Sequence, residues 1–229
     1  SNIPNYECYF KSSYYGGLAY VYNTNTIQVN SKYEIFTSSS YWNAFPRSPQ
    51  VLDFTFLGND YIIINNHFKC CGDGILNSNI SNDEENRRLQ AITYLKQFLD
   101  DNFSNTNVVL LGDLNDNLLD NIENNVFQSF IDDNENYMFA DMQIAEGSSL
   151  DWSYPSWPSH LDHILISNEL FGRSLFDKQL FARGFDMQLS RQDLKLSKIT
   201  IGTLANKEYC QLSPHENAQG MIEKLKEGG

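Results

Sequence analysis

Apolar positions along this chain mostly cluster in short runs of β-branched and aromatic residues, and one later segment shows helical spacing. The stretches "GGLAYVYN" (16–23), "TIQVNSKYEIF" (26–36), "QVLDFTFLGNDYIIINNHF" (50–68), "NVVLLG" (107–112) and "LDHILIS" (161–167) read as strands. Inside the third, Gly58-Asn59-Asp60 is a turn signal between two apolar runs, which predicts a hairpin of 51–57 with 61–66. A helix is predicted from Ser81, where Ser81 and Glu84 make a capping box and Leu89, Ile92, Leu95 and Leu99 follow on one face. A second helix is expected near 124–131. Antiparallel-looking strand runs with helices inserted between them predict a two-sheet α/β sandwich. From residue 172 onward the signals weaken, and "HENAQGMIEKLKEGG" reads as a short polar helix with a frayed end.

Length and composition add bounds to this picture. The 229 residues fit a single domain, 1–229, and 41% hydrophobic with 14% aromatic residues argue for a packed core. No apolar run approaches the ~18 residues of a membrane span. The net charge of −13 weakens a general nucleic-acid-binding reading, because such proteins neutralise phosphates with a basic surface. It leaves room for phosphoester chemistry, since a bound divalent cation supplies positive charge locally. Cys8, Cys70, Cys71 and Cys210 form no C-x-x-C pair, which argues against a zinc framework, and adjacent Cys70 and Cys71 are poorly placed to bridge each other. The even count and the opening without Met lean toward an exported protein and leave room for a removed leader.

Three polar groups stand at strand ends. His67 follows Tyr61–Ile64, Asp113 and Asn115 follow Val108–Leu111, and Asp162 precedes Ile164–Ile166. Where strands run antiparallel the end of one meets the start of the next, so all three can converge on one sheet edge. A His, an Asp-x-Asn pair and a second Asp suit phosphoester cleavage. Asp113 can take a proton from an attacking water, and Asn115 can donate to a phosphate oxygen. His67 can donate to developing negative charge, and Asp162 can orient an imidazole. Each also has a plain structural reading: an Asp-x-Asn turn, a hydrogen-bonded strand-end His, a local pair of Asp162 with His163.

Taken in order, "FPRSP" (45–49), "NNHFK" (65–69), "LLGDLND" (110–116) and "SHLDHILIS" (159–167) resemble the endonuclease/exonuclease/phosphatase (DNase I-like) superfamily over about 14–171. The helix carrying Arg87 and Arg88 falls where that family places one, and "SYPSWPSHLDHIL" is similar to its bacterial nuclease-like branch. The resemblance implies a four-layered α/β sandwich of two mostly antiparallel sheets and a Mg²⁺ (or Mn²⁺/Ca²⁺) cofactor. It implies a phosphate-contacting His67, a water-orienting Asp113 with Asn115, an imidazole-orienting Asp162 and a site-adjacent Arg47. Asp113 is then the candidate metal contact, and Asp116 and His163 receive no role.

The departures from the family pattern are specific. Its opening strand–helix–strand, with an Asn and a metal-binding Glu, is not found, and Glu7 is a poor substitute. Its closing Ser-Asp-His is not found either; "LSPHEN" offers His215 and "LSRQDL" offers Asp193. "LSKITIGTLAN" (196–206) resembles the opening strand, as if the tail supplied it by permutation and placed Asn206 at the missing Asn. The expected function is metal-dependent hydrolysis of a phosphodiester, on nucleic acid or another phosphoester substrate, possible impairment included. Two alternatives stand beside it: a phosphatase or lipid/small-molecule phosphodiesterase, and a non-catalytic remnant of the fold. No protein partner is inferable.

Overall fold

A computed structural model describes residues 5–14, 16–154, 158–171 and 199–204. Among the described residues, nine strands form two sheets. The large sheet contains β3 (Gln28–Glu34), β4 (Gln50–Phe56), β5 (Asn59–His67), β6 (Asn107–Asp113), β7 (Tyr137–Phe139) and β8 (Asp162–Ser167), in the order β3-β4-β5-β6-β8-β7. The small sheet is β1 (Tyr6–Lys11), β2 (Gly17–Asn23) and β9 (Ile199–Leu204), in the order β1-β2-β9. All pairings are antiparallel except β5 with β6, which run parallel and are joined by the helix α1 (Glu84–Asn102). A parallel pair needs such a crossover, because a tight turn can only reverse the chain.

The central strands are apolar without alternation because both of their faces are covered. Ile62 and Ile64 of β5 and Val108 and Leu110 of β6 pack against Ala91, Ile92, Leu95 and Leu99 of α1. Two further one-turn helices, α2 (Gln128–Ile131) and α3 (Met142–Ala145), add Phe130 and Ala145 to that cluster. The alternate residues Tyr61, Ile63, Val109 and Leu111 turn to the other face and meet Tyr20 and Tyr22 of β2. Among the described residues this stacks helices, large sheet and small sheet. Each large apolar side chain so buried contributes about 1.5–3 kcal/mol.

Polar groups fix how the two sheets sit. The fully buried Tyr20 hydroxyl donates to the Gln50 carbonyl at 2.6 Å and accepts from the Asn65 amide at 2.9 Å. The Gln50 side chain donates to the Leu18 carbonyl at 2.9 Å. A slip of one residue would leave these buried groups unpaired, which is costly in an apolar interior.

Three local expectations change. The α1 cap is Asp83, whose side chain accepts from the Asn86 amide at 2.8 Å, whereas the Ser81 carbonyl accepts from Asn43. An ionised carboxylate with Glu84 and Glu85 in the first turn suits the positive helix end. The expected helix near 124–131 is helical only over Gln128–Ile131. The hairpin turn is Leu57-Gly58, not 58–60, because the ladder continues to Phe56–Asn59. Both turn residues have positive φ (50° and 77°), the type I′ geometry that matches strand twist. Leu57 is 79% exposed and holds this left-handed conformation without burial in return. We expect Leu57→Asn to stabilise the protein by about 1 kcal/mol, read as a higher urea midpoint.

In the segment where the signals weaken, 199–204, within the stretch that resembles the family's opening strand, forms β9 against β2, with Leu204 paired to Gly17. Asp193, Asn206, His215 and the polar end segment lie outside the described residues. Glu7 belongs to β1, where it accepts from the Tyr22 hydroxyl at 2.7 Å and pairs with Lys32 at 3.6 Å.

Candidate active site

Strand register brings the site together. His67, the last residue of β5, pairs across to Asp113, the last of β6, and Asp113 pairs across to Asp162, the first of β8. Two carboxylates and an imidazole therefore stand side by side on one sheet edge, with His67 Nε2 3.6 Å from Asp113 Oδ2. Gly112 makes this possible. Its φ is +132°, and a Cβ there would overlap the Asn66 carbonyl oxygen of β5. Only glycine accepts both the conformation and the approach.

Crowding sets the charges. Burial, and then the neighbouring Asp162 carboxylate, push Asp113 up to about 7, against a favourable pull from the Asn115 amide and Arg47. Burial and then the Arg47 guanidinium push His67 down to about 4, so its imidazole is neutral at pH 7. Asp113 Oδ1 is buried and has no hydrogen-bond partner. An unsatisfied carboxylate oxygen beside a second carboxylate fits a divalent cation, which prefers oxygen ligands and relieves the repulsion. Asp113 and Asp162 are the residues that would hold it.

Asn115 lies in the left-handed region at φ 56°, which asparagine tolerates. Its amide reaches the Phe68 carbonyl at a long 3.4 Å, while its backbone N–H donates to Leu161 O at 3.3 Å. It thus serves the turn and stays beside Asp113. Arg47 follows the buried Ala44 and Phe45, and its charge acts on both His67 and Asp113. All five expected residues share one neighbourhood.

Behind this row lie groups to which sequence reading gave no role. Buried His163 sits with Nδ1 2.7 Å from Asp141 Oδ2 and Nε2 2.7 Å from the Asp116 carbonyl. A carbonyl only accepts, and so does an ionised Asp141, whose pKa the site depresses, so both ring nitrogens donate and His163 is an imidazolium. Burial alone would lower its pKa, but Asp141 raises it above the ordinary value. Burial would likewise raise Asp141, yet His163, His160 and the Ile164 amide hold it well below the carboxylate range. His160 Nε2 donates to the same Asp141 oxygen at 2.9 Å. These three side chains are close enough to take a metal ion, at the cost of the two protons that now join them. A His-x-x-His spacing at the mouth of β8 was the available signal; Asp141 had none.

A second buried hub is Arg88 of α1. It donates to Asp116 Oδ2 at 2.7 Å, Glu85 Oε1 at 3.0 Å, and the carbonyls of Lys69 and Cys71 at 2.9 and 2.8 Å. Arg88 therefore ties the loop after His67 to the loop after Asp113. Ser153 closes the other side, its hydroxyl accepting from the amides of Leu161 and Asp162 at 2.9 and 3.0 Å.

Removing Asp141 tests the buried pair. Asp141→Asn should cost about 3–5 kcal/mol, because it strands a charge. The contribution of His163 is complete below the unfolded value near ~6.5 and lost as pH rises through its raised folded value. That of Asp141 is present above ~3.9 and lost as pH falls through its depressed one. Urea unfolding should therefore show the largest gap between wild type and variant at about pH 4–6.5. A gap independent of pH would exclude the charged pair.

The profile of the Endonuclease/Exonuclease/phosphatase family matches residues 3–177. The chain belongs to this family, whose members are hydrolases and generally use divalent metals. Its fold is similar to the human Nocturnin catalytic domain with bound sulfate, at 15% identity and TM-score 0.50 over 72% of this chain and 61% of that one. Danio rerio TDP2 complexed with a single-strand DNA product matches at 13% identity and TM-score 0.49 (75% and 65% covered). A mannosyl-6-phosphatase of Bacteroides thetaiotaomicron matches at 16% and 0.46 (72% and 64% covered). The chain thus spans 61–65% of these solved chains. No curated protein matches.

Proposed function

We propose that this protein hydrolyses a phosphodiester with a divalent ion, Mg²⁺ or Mn²⁺, held at Asp113 and Asp162. The observation that carries this reading is the row His67–Asp113–Asp162 with an unsatisfied carboxylate oxygen at its centre. The ion would supply positive charge to the phosphate oxygens. Asp113 holds and orients the attacking water and accepts its proton. Neutral His67 offers one N–H to the charge that develops on phosphate, and Arg47 adds a fixed cation beside it. Asn115, already at the rim, turns its amide from the long contact with Phe68 toward a phosphate oxygen. Asp162 would share the ion with Asp113 across the strand pair, a role its register supports more directly than orienting an imidazole.

A diester is taken over a monoester because the Arg47 guanidinium acts on both His67 and Asp113, and one fixed cation matches the single charge of a diester. A dianionic monoester asks for more positive charge. The test is hydrolysis of bis-p-nitrophenyl phosphate against p-nitrophenyl phosphate with Mg²⁺ or Mn²⁺, followed by plasmid nicking. Faster cleavage of the monoester would move the assignment to a phosphatase. No cleavage of either, with no calorimetric Mg²⁺ binding, would leave a non-catalytic fold.

A further inference from the structure

The loop that leaves His67 carries two adjacent thiols that the hydrolytic site does not use. Cys70 and Cys71 are exposed free cysteines with their sulfurs 2.9 Å apart, Cys71 donating to Cys70. Cys8, by contrast, is disulfide-bonded. The loop backbone is pinned from beneath. Arg88 holds the carbonyls of Lys69 and Cys71, and Glu85 accepts from the Gly74 amide at 2.8 Å. Cys71 adopts φ 72°, a conformation uncommon for a residue with a Cβ, and Gly72 follows at 109°. Pinned backbone and outward thiols leave the two sulfurs facing each other in solvent.

We propose that Cys70 and Cys71 are a reversible oxidation site, closed to an internal disulfide by exchange with a low-molecular-weight disulfide, and that closure moves the loop joined to His67. The Cys70 thiolate attacks one sulfur of the external disulfide, forming a mixed disulfide and releasing one thiolate. Cys71 then loses its proton to solvent and attacks Cys70 sulfur, releasing the second. Two protein thiols are oxidised and one external disulfide is reduced to two thiols. The order follows from the surroundings. Lys69 Nζ, 3.9 Å from the Cys70 sulfur, and Arg47 lie beside the residue that attacks first. Cys71 is the donor of the pair, and that hydrogen bond, with burial second, raises its pKa.

Adjacent residues have Cα atoms ~3.8 Å apart across a trans peptide, below the usual ~4.4–6.8 Å of a disulfide. A bridge made here is strained and easily reduced, which suits a switch better than a staple. Closure must re-set the Cys71 backbone, and with it the carbonyl that Arg88 grips. Arg88 also holds Asp116 and Lys69, so the change reaches the loops that leave His67 and Asp113. This proposal does not depend on which phosphoester, if any, is cleaved.

The experiment treats the full chain with oxidised glutathione and reads peptide mass, free thiols and the imidazole resonances. We expect loss of both thiols with no glutathione retained, reversed by dithiothreitol. Cys71→Ser should instead keep one glutathione on Cys70. The His67 resonance, assigned by its absence in His67→Gln, should shift on oxidation and return on reduction. Glutathione retained on wild-type Cys70, or thiols unchanged where a short Cys-Cys peptide oxidises fully, would overturn the site. A disulfide with an unmoved His67 resonance would overturn its coupling to the row.

Discussion

Asp113→Asn should slow hydrolysis by orders of magnitude while making the protein more stable. The amide keeps the shape of the carboxylate but cannot take a proton, and loss of a general base lowers turnover by about 10²–10⁴-fold. Stability moves the other way because Asp113 is held in a setting that resists its charge, with a pKa of about 7. A raised folded value means the folded state prefers the protonated acid. Its contribution is full below the unfolded value near ~3.9 and is lost as pH rises through about 7. The gain in Asn should therefore appear mainly at pH 8 and above. A full shift of this size would exceed ~4 kcal/mol, but a third of the side chain is exposed, so we expect about 1–2 kcal/mol after screening. Urea melts at pH 5 and 8.5 and initial rates with Mg²⁺ measure both arms. Excess Mg²⁺ should erase much of the wild type's disadvantage at high pH, because a cation between the carboxylates removes the repulsion. A variant that is inactive and less stable at high pH would mean Asp113 is a structural partner. An active variant would remove it from the chemistry.

Gly112→Ala should be the most damaging single methyl in the described structure. The position is left-handed at φ 132°, and the added carbon would overlap the Asn66 backbone across the β5–β6 pair. Strain and overpacking together should cost about 3 kcal/mol or more, a large part of a single domain's stability. Relaxation would have to part the strand ends that carry His67 and Asp113, so the surviving folded fraction should also be slow. Denaturation midpoint and rate per folded molecule separate the two effects. A variant with wild-type stability would show that β5 and β6 separate there at little cost.

How much of this was legible beforehand depended on how local the cause was. The strands 17–23, 28–34, 50–56, 59–67, 107–113 and 162–167 appear where their composition placed them, since burial on one or both faces writes itself into residue type. The short strands β1 and β7 escaped, as did α3, because their formation depends on neighbours already in place. The α1 cap was displaced from Ser81 to Asp83 because two capping candidates lay within one turn, and geometry chose the carboxylate.

The sequence by itself determined that His67, Asp113 and Asp162 stand at strand ends, because each closes or opens an apolar run. Residue type at those ends allows phosphoester chemistry and equally a plain turn or a structural histidine; it is the order of the motifs along the chain that resembles the family. The parallel β5–β6 pair and the antiparallel β8, which put the three in one row, are long-range facts. So are the perturbed charges of Asp113 and His67, which arise from burial and from side chains distant in the chain. The Asp141–His163 pair and the Arg88 clamp were invisible for the same reason. A buried polar contact joins residues through space, and only the tertiary fold selects the partner that leaves neither group unsatisfied.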